Sequence, residues 1–84
     1  MPASDTPYPP ADRVMDASGL LCPLPVLRAR KALQSMSNGQ TLLLIATDPA
    51  AVIDLPHFCA EAGHTLLTVT EENDARHFLL RKGG

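Results

Sequence analysis

From Thr41 to Thr47 the chain reads Thr-Leu-Leu-Leu-Ile-Ala-Thr, a continuous apolar run of strand length between two turn signals, Asn38-Gly39 and Asp48-Pro49. Such a run predicts a central strand covered on at least one face. Upstream, Val26, Ala29, Leu33 and Met36 recur at i, i+3, i+7 and i+10. That spacing puts them on one face of a helix, for which Asn38-Gly39 supplies a stop. A shorter run, Val14-Met15-Asp16-Ala17, is closed by Ser18-Gly19 and predicts a first strand. Asp48-Pro49 opens a turn or a short helical piece. Asp54-Leu55-Pro56 then gives an N-cap signal with proline inside the first turn, where its missing N–H costs little. Leu55, Cys59 and Ala62 follow on one face, and Gly63 ends this second helix. His64 to Glu71 carries Leu67 and Val69 on one side, Glu72-Asn73-Asp74 makes a turn, and Ala75 to Arg81 alternates with Phe78 and Leu80 on one face. The pair reads as a hairpin.

The order is therefore β-α-β-α-β-β, an α+β fold in which two helices lie on one face of a mixed four-stranded sheet, a two-layer sandwich. Handedness rules alone leave the strand order open. Residues 1–12, MPASDTPYPPAD, hold half of the eight prolines and no apolar periodicity, and read as a disordered leader before a single domain at 13–84.

Composition narrows the function. A chain of 84 residues buries only ~60% of its unfolded surface, which leaves a thin core and no room for a second domain. With a formal net charge of −2 and no tryptophan, it offers neither the basic field nor the stacking surface of a nucleic-acid binder, so direct nucleic-acid binding is not expected. The leader lacks the basic start and apolar run of a secretory signal, and Leu42–Ala46 is far too short to cross a bilayer. A cytoplasmic protein without membrane attachment is expected. In that compartment Cys22 and Cys59 would not form a structural disulfide.

Cys22 stands directly before Pro23, with Pro25 two residues further on, at the start of the first helix. Proline has no N–H and holds the preceding residue extended, so the helix begins just after Cys22 and cannot easily extend backward. The thiol is thereby fixed at or next to an N-cap, where the partial positive charge of the helix end favours thiolate. Each proline also removes a donor, so a modest lowering of the thiol pKa is expected, with placement as the main contribution of Pro23 and Pro25. The competing reading is a small apolar cysteine buried in a tight turn. On the helix wheel Leu24 and Leu27 fall opposite the apolar face, near Lys31, and resemble a docking surface beside the thiol. Arg28, Arg30 and Lys31, with Arg81 and Lys82, form either a basic rim for an acidic partner or an ordinary solvated face.

The stretch Gly19-Leu20-Leu21-Cys22-Pro23-Leu24-Pro25 resembles the CPxP signature of the TusA family of sulfur-carrier proteins, once called SirA-like. The DxxGLxCP spacing from Asp16, the Asp48-Pro49-Ala50-Ala51 turn, the segment Asp54 to Cys59 and the terminal Arg81-Lys82-Gly83-Gly84 extend the resemblance from about Met15 to the end. It implies the same sandwich. It also implies a sulfurtransferase that acts as a persulfide carrier: Cys22 accepts sulfur from a cysteine desulfurase and passes it to a downstream relay of the TusBCD kind, for 2-thiolation of the tRNA wobble uridine. No cofactor is implied beyond the covalent persulfide on Cys22. Partner contacts would fall on Leu24, Leu27, Arg28 and Lys31, and a monomer is the simplest state. Some relatives carry an acidic residue between the prolines where this chain has Leu24, which bears on partner choice. Persulfide exchange needs an accessible thiolate and no deep pocket.

Other features admit weaker readings. Cys59 is in phase with Leu55 and Ala62 and reads as a buried apolar residue, with a resolving thiol as the alternative. His57, Cys59 and His64 match no standard zinc spacing, so no metal is expected. His77 alternates with Phe78 and reads as a solvent-side residue of the last strand, and Asp16 as a turn former. Gly83-Gly84 matches the end of ubiquitin-like carriers that hold sulfur as a C-terminal thiocarboxylate, but their β-grasp fold starts with a hairpin, unlike this strand-then-helix start. The plainer reading is a flexible tail that assists docking. A regulatory or interaction module, binding a partner through the Cys-Pro loop without moving sulfur, is the main alternative function.

Overall fold

The computed structural model describes residues 11–83. Six elements follow in the order expected: β1 (Arg13–Ala17), α1 (Leu24–Gln34), β2 (Thr41–Ala46), α2 (Ala51–Ala62), β3 (Thr65–Glu72) and β4 (Ala75–Arg81). The sheet runs β1-β2-β4-β3. β1 and β2 are parallel, with Ala17 opposite Ala46, whereas β4 is antiparallel to both β2 and β3. Both helices cover one face. The order that handedness left open is thus settled, with β4 inserted between β2 and β3.

The core lies between the sheet and the helices. Leu42, Leu44 and Ala46 from β2 and Phe78 and Leu80 from β4 meet Ala29, Ala32 and Leu33 of α1 and Leu55 and Cys59 of α2. Val26 and Met36, the ends of the apolar stripe read in the sequence, pack partly buried against this cluster. Alternate residues of the same strands, Leu43, Ile45, His77 and Leu79, project to the other face and are buried as well. His77 is therefore not a solvent-side residue. Its strand is central, and the register sets it between Ile45 of β2 and Thr70 of β3.

Several boundaries differ from the sequence reading, each for a local reason. Helix α1 opens at Leu24, with Pro23 as N-cap and Pro25 in the first turn, so Pro25 does not keep Leu24 out of the helix. It ends at Ser35, ahead of Asn38-Gly39. The Ser35 hydroxyl donates to the Ala32 carbonyl and accepts from Arg13, and the Lys82 ammonium donates to the carbonyls of Leu33 and Met36 at 2.6 and 3.2 Å. A cation on the last carbonyls of a helix is favourable for both charge and hydrogen bonding.

Helix α2 starts at Ala51, three residues before Asp54, because Asp48 rather than Asp54 organises the turn. The Asp48 carboxylate accepts from the Ala50 N–H and its carbonyl from the Ala51 N–H. Asp54 is consequently an acidic residue inside the first turns, and Pro56 lies within the helix. Gly63 closes it at φ 83°, in the left-handed region that glycine occupies without steric cost. The hairpin turns on Asn73 and Asp74, both at positive φ, the geometry that matches the twist of the strands. A register shift between Leu66 and Thr68 leaves Leu67 and Val69 exposed, and Leu66 takes the place against the core.

Most of the stretch read as a leader, residues 1–10, lies outside the described residues. Asp12 belongs to the ordered sheet margin: its N–H bonds the Thr41 carbonyl at 3.1 Å and its carboxylate accepts from the Thr41 N–H at 2.8 Å. Among the described residues no helix is long and apolar enough to cross a membrane.

Candidate functional site

β1 and β2 are parallel neighbours, so the loops that follow them emerge side by side at one end of the sheet. The first carries Cys22 and the second carries Thr47 and Asp48. Two side chains of the second loop hold the first. The Thr47 hydroxyl accepts from the Gly19 N–H at 2.8 Å, and the Asp48 carboxylate accepts from the Cys22 N–H at 2.6 Å. Within the loop, hydrogen bonding from the Ser18 side chain and then from the Ser18 N–H lowers the Asp16 pKa, and Gly19 takes φ +80°. The Leu24 N–H bonds the Leu21 carbonyl at 2.8 Å, closing the turn around the cysteine. The Cys22-Pro23 peptide bond is cis.

The thiol that results is exposed, immediately before the N-cap. Placement agrees with the sequence reading; acidity does not. The Cys22 pKa is raised, first by a hydrogen bond from the thiol to the Asp54 carboxylate, then by desolvation and by the negative charges of Asp54 and Asp48. The helix end fails to compensate for an identifiable reason. Two of its early residues are prolines and the Leu24 N–H is already bonded, so few free donors face the sulfur, while two carboxylates do.

The remaining sequence candidates divide into two groups. Pro23 is exposed, whereas Pro25 is buried and anchors the first turn to the interior. Leu24 and Leu27 are half-exposed on the outer side of α1, joined by Leu21, which is 68% exposed. Arg28 and Lys31 line a different concavity, with Arg13, Met15 and Ser35, on the β1 side of the helix. The thiol instead shares an open groove of about 300 Å³ with Val26 and Arg30 of α1 and Asp54, His57, Phe58 and Glu61 of α2. Of the basic helix residues, Arg30 is thus the one that reaches the sulfur's side.

Cys59 is buried in the core, and burial raises its pKa, so it is set apart from the exposed thiol. Gly83 is tied down: its N–H donates to His64 Nδ1 at 3.0 Å, and a side chain at that position would meet the Gly63 carbonyl. This differs from the free tail read in the sequence. Gly84 lies outside the described residues.

Sequence reasoning passed over Thr47 and Asp48 as supports of the cysteine loop and Asp54 as its neighbour. The signal for the first two was present. Once β1 and β2 are taken as parallel, Ser18-Gly19 and Thr47-Asp48 are consecutive with the paired residues Ala17 and Ala46.

An exposed cysteine held by loop-to-loop hydrogen bonds at the first helix of a two-layer sandwich defines a small thiol-presenting α+β protein. The comparisons make the class specific. The family model described as sulfurtransferase TusA matches residues 13–82. A sulfur carrier protein TusA from Allochromatium vinosum is 51% identical over 71 residues, covering 84% of this chain and 93% of that protein. The crystal structure of a SirA-like protein from Desulfitobacterium hafniense superposes with a TM-score of 0.74 over 86% of this chain and 99% of its own, at 23% identity, a likeness of fold. The chain belongs to the TusA sulfurtransferase family.

Proposed function

We propose that this protein is a cytoplasmic sulfur carrier that holds sulfur as a persulfide on Cys22. A cysteine desulfurase supplies the sulfur and a relay protein of the TusBCD kind removes it, for 2-thiolation of the tRNA wobble uridine. The observation that carries this reading is the exposed Cys22 thiol, fixed by the hydrogen bond that the Cys22 N–H donates to the Asp48 carboxylate and open to a groove rather than enclosed. Sulfur exchange between two proteins requires each reacting sulfur to reach the other, and a thiol standing at the surface satisfies that condition. Family membership and the relative named a sulfur carrier support the same role.

Pro23 and Pro25 act as positioning residues, the first by opening the helix directly after the thiol, the second by anchoring its first turn in the interior. Leu24 and Leu27, with Leu21, give a docking partner apolar surface beside the sulfur, and Arg28 and Lys31 supply positive charge to the same partner from the β1 side of α1. The pathway is tested in a bacterium whose own carrier of this family has been deleted. Expression of this chain restores 2-thiouridine in tRNA and Cys22→Ser does not. Restoration by both, or by neither when the chain is present in folded form, removes the tRNA assignment.

A further inference from the structure

Asp48 and Asp54 both stand near the sulfur, but their situations differ. Asp48 is committed: one carboxylate oxygen accepts from the Cys22 N–H and the other from the Ala50 N–H. Asp54 lines the same groove as the Cys22 thiol and is the main reason that the thiol pKa is raised, and among the described residues no N–H donates to its carboxylate, although a carboxylate offers about four lone-pair sites. Among the described residues no Lys, Arg or His lies within ion-pair distance of it. The other charged groups around the groove are Arg30 from α1 and His57 with Glu61 from α2, and the latter two face each other at 3.5 Å. Asp54 therefore stands beside the reacting sulfur as a carboxylate with no ion pair among the described residues, in a groove whose one arginine, Arg30, is likewise outside any ion pair.

That arrangement poses a chemical problem for a carrier. The thiolate is the nucleophile in sulfur exchange, and a carboxylate in hydrogen-bond contact favours the thiol. The same charge complements a cation. Resting on the persulfide-carrier reading, we propose that Asp54 pairs with a lysine or arginine that a partner protein carries next to its own reactive cysteine, and that this pairing frees the Cys22 thiolate.

The step balances without an added oxidant. When the partner's cation takes the Asp54 carboxylate, the Cys22 proton passes to solvent. The thiolate attacks the outer sulfur of the partner's persulfide, forming a new S–S bond. The partner's S–S bond breaks, its electron pair stays on the inner sulfur, and that thiolate takes a proton from solvent. One sulfane sulfur has moved, giving a persulfide on Cys22 and a thiol on the donor. A partner lacking the cation meets a thiol that stays protonated, so Asp54 also selects among donors.

Two small persulfides isolate the charge effect: cysteamine persulfide, which carries an ammonium group next to its sulfur, and glutathione persulfide, which carries net negative charge. Single-turnover loading of the full chain is followed by intact mass, and the ratio of the two rates is compared between wild type and Asp54→Asn. The expected ratio is about three- to ten-fold larger in wild type at low ionic strength, as for one unit charge a few ångströms from the reacting atoms, and it shrinks as salt is added. Asp54→Glu retains the preference. An equal ratio in wild type and Asp54→Asn overturns the pairing while leaving the carrier role intact. Failure of both persulfides to load wild type overturns the carrier reading itself, and the pairing with it. Should Asp54→Asn not fold, the salt series on wild type decides: a ratio that salt does not change overturns the pairing.

Discussion

The Cys22 amide donates to the Asp48 carboxylate at 2.6 Å across 26 residues of sequence, so the loop that presents the thiol is held by the loop that starts the second helix. A hydrogen bond to a charged acceptor is worth about 1.5–3 kcal/mol net, more than a neutral one, and this one acts at the reacting residue itself.

Asp48→Ala removes the acceptor for both the Cys22 and Ala50 amides. Loss of about 1–3 kcal/mol of unfolding free energy is expected in urea denaturation. Amide hydrogen exchange at residues 19–24 should quicken more than in the sheet. A variant as stable as wild type, with unchanged exchange in that loop, would show that Asp48 does not hold it.

The two cysteines should separate in an alkylation experiment over pH. Cys22 is exposed and reacts, but its midpoint lies above the ordinary thiol value of about 8.5, because Asp54 and Asp48 disfavour the thiolate. Iodoacetamide rates should therefore climb through alkaline pH, and Asp54→Asn should shift the curve to lower pH. Cys59 is protected by burial until the protein unfolds. A wild-type midpoint below that of a free thiol would restore the helix-end effect as the dominant influence.

Burial, and then the charge of Lys82, lower the His64 pKa below its ordinary 6.5. Protonation is thus less favourable in the folded chain than in the unfolded one. The stabilisation is fully present above the unfolded value and is lost as pH falls through the lower folded value. The urea midpoint should decline as pH falls below about 6.5, and the decline should be smaller in His64→Gln. Equal slopes in the two proteins would count against a role for His64.

Much of this fold could be read from the pattern of apolar residues. Thr41–Thr47 gave the central strand because β2 is buried on both faces, and the stripe Val26, Ala29, Leu33, Met36 gave the face of α1 because that spacing survives in the packed helix. Reading failed where a distant partner decides the outcome. Asp54 carries a good N-cap signal, but Asp48 starts the helix earlier with its own side chain. His77 sits in a polar-looking alternation, yet a central strand flanked on both sides buries it. The place of Cys22 was legible because proline acts on its immediate neighbours. The acidity of its thiol was not, since Asp54 reaches the sulfur only through the packing of α2 against α1.

The direct test of sulfur carriage is the intact mass of the protein after incubation with a cysteine desulfurase and cysteine. Wild type should gain the mass of one sulfur atom, lose it on treatment with a reductant, and carry it on the peptide containing Cys22, while Cys22→Ser gains nothing. A wild-type protein that stays unmodified beside an active desulfurase, or a Cys22→Ser variant that gains the same mass, would contradict the assignment and leave a binding module in its place.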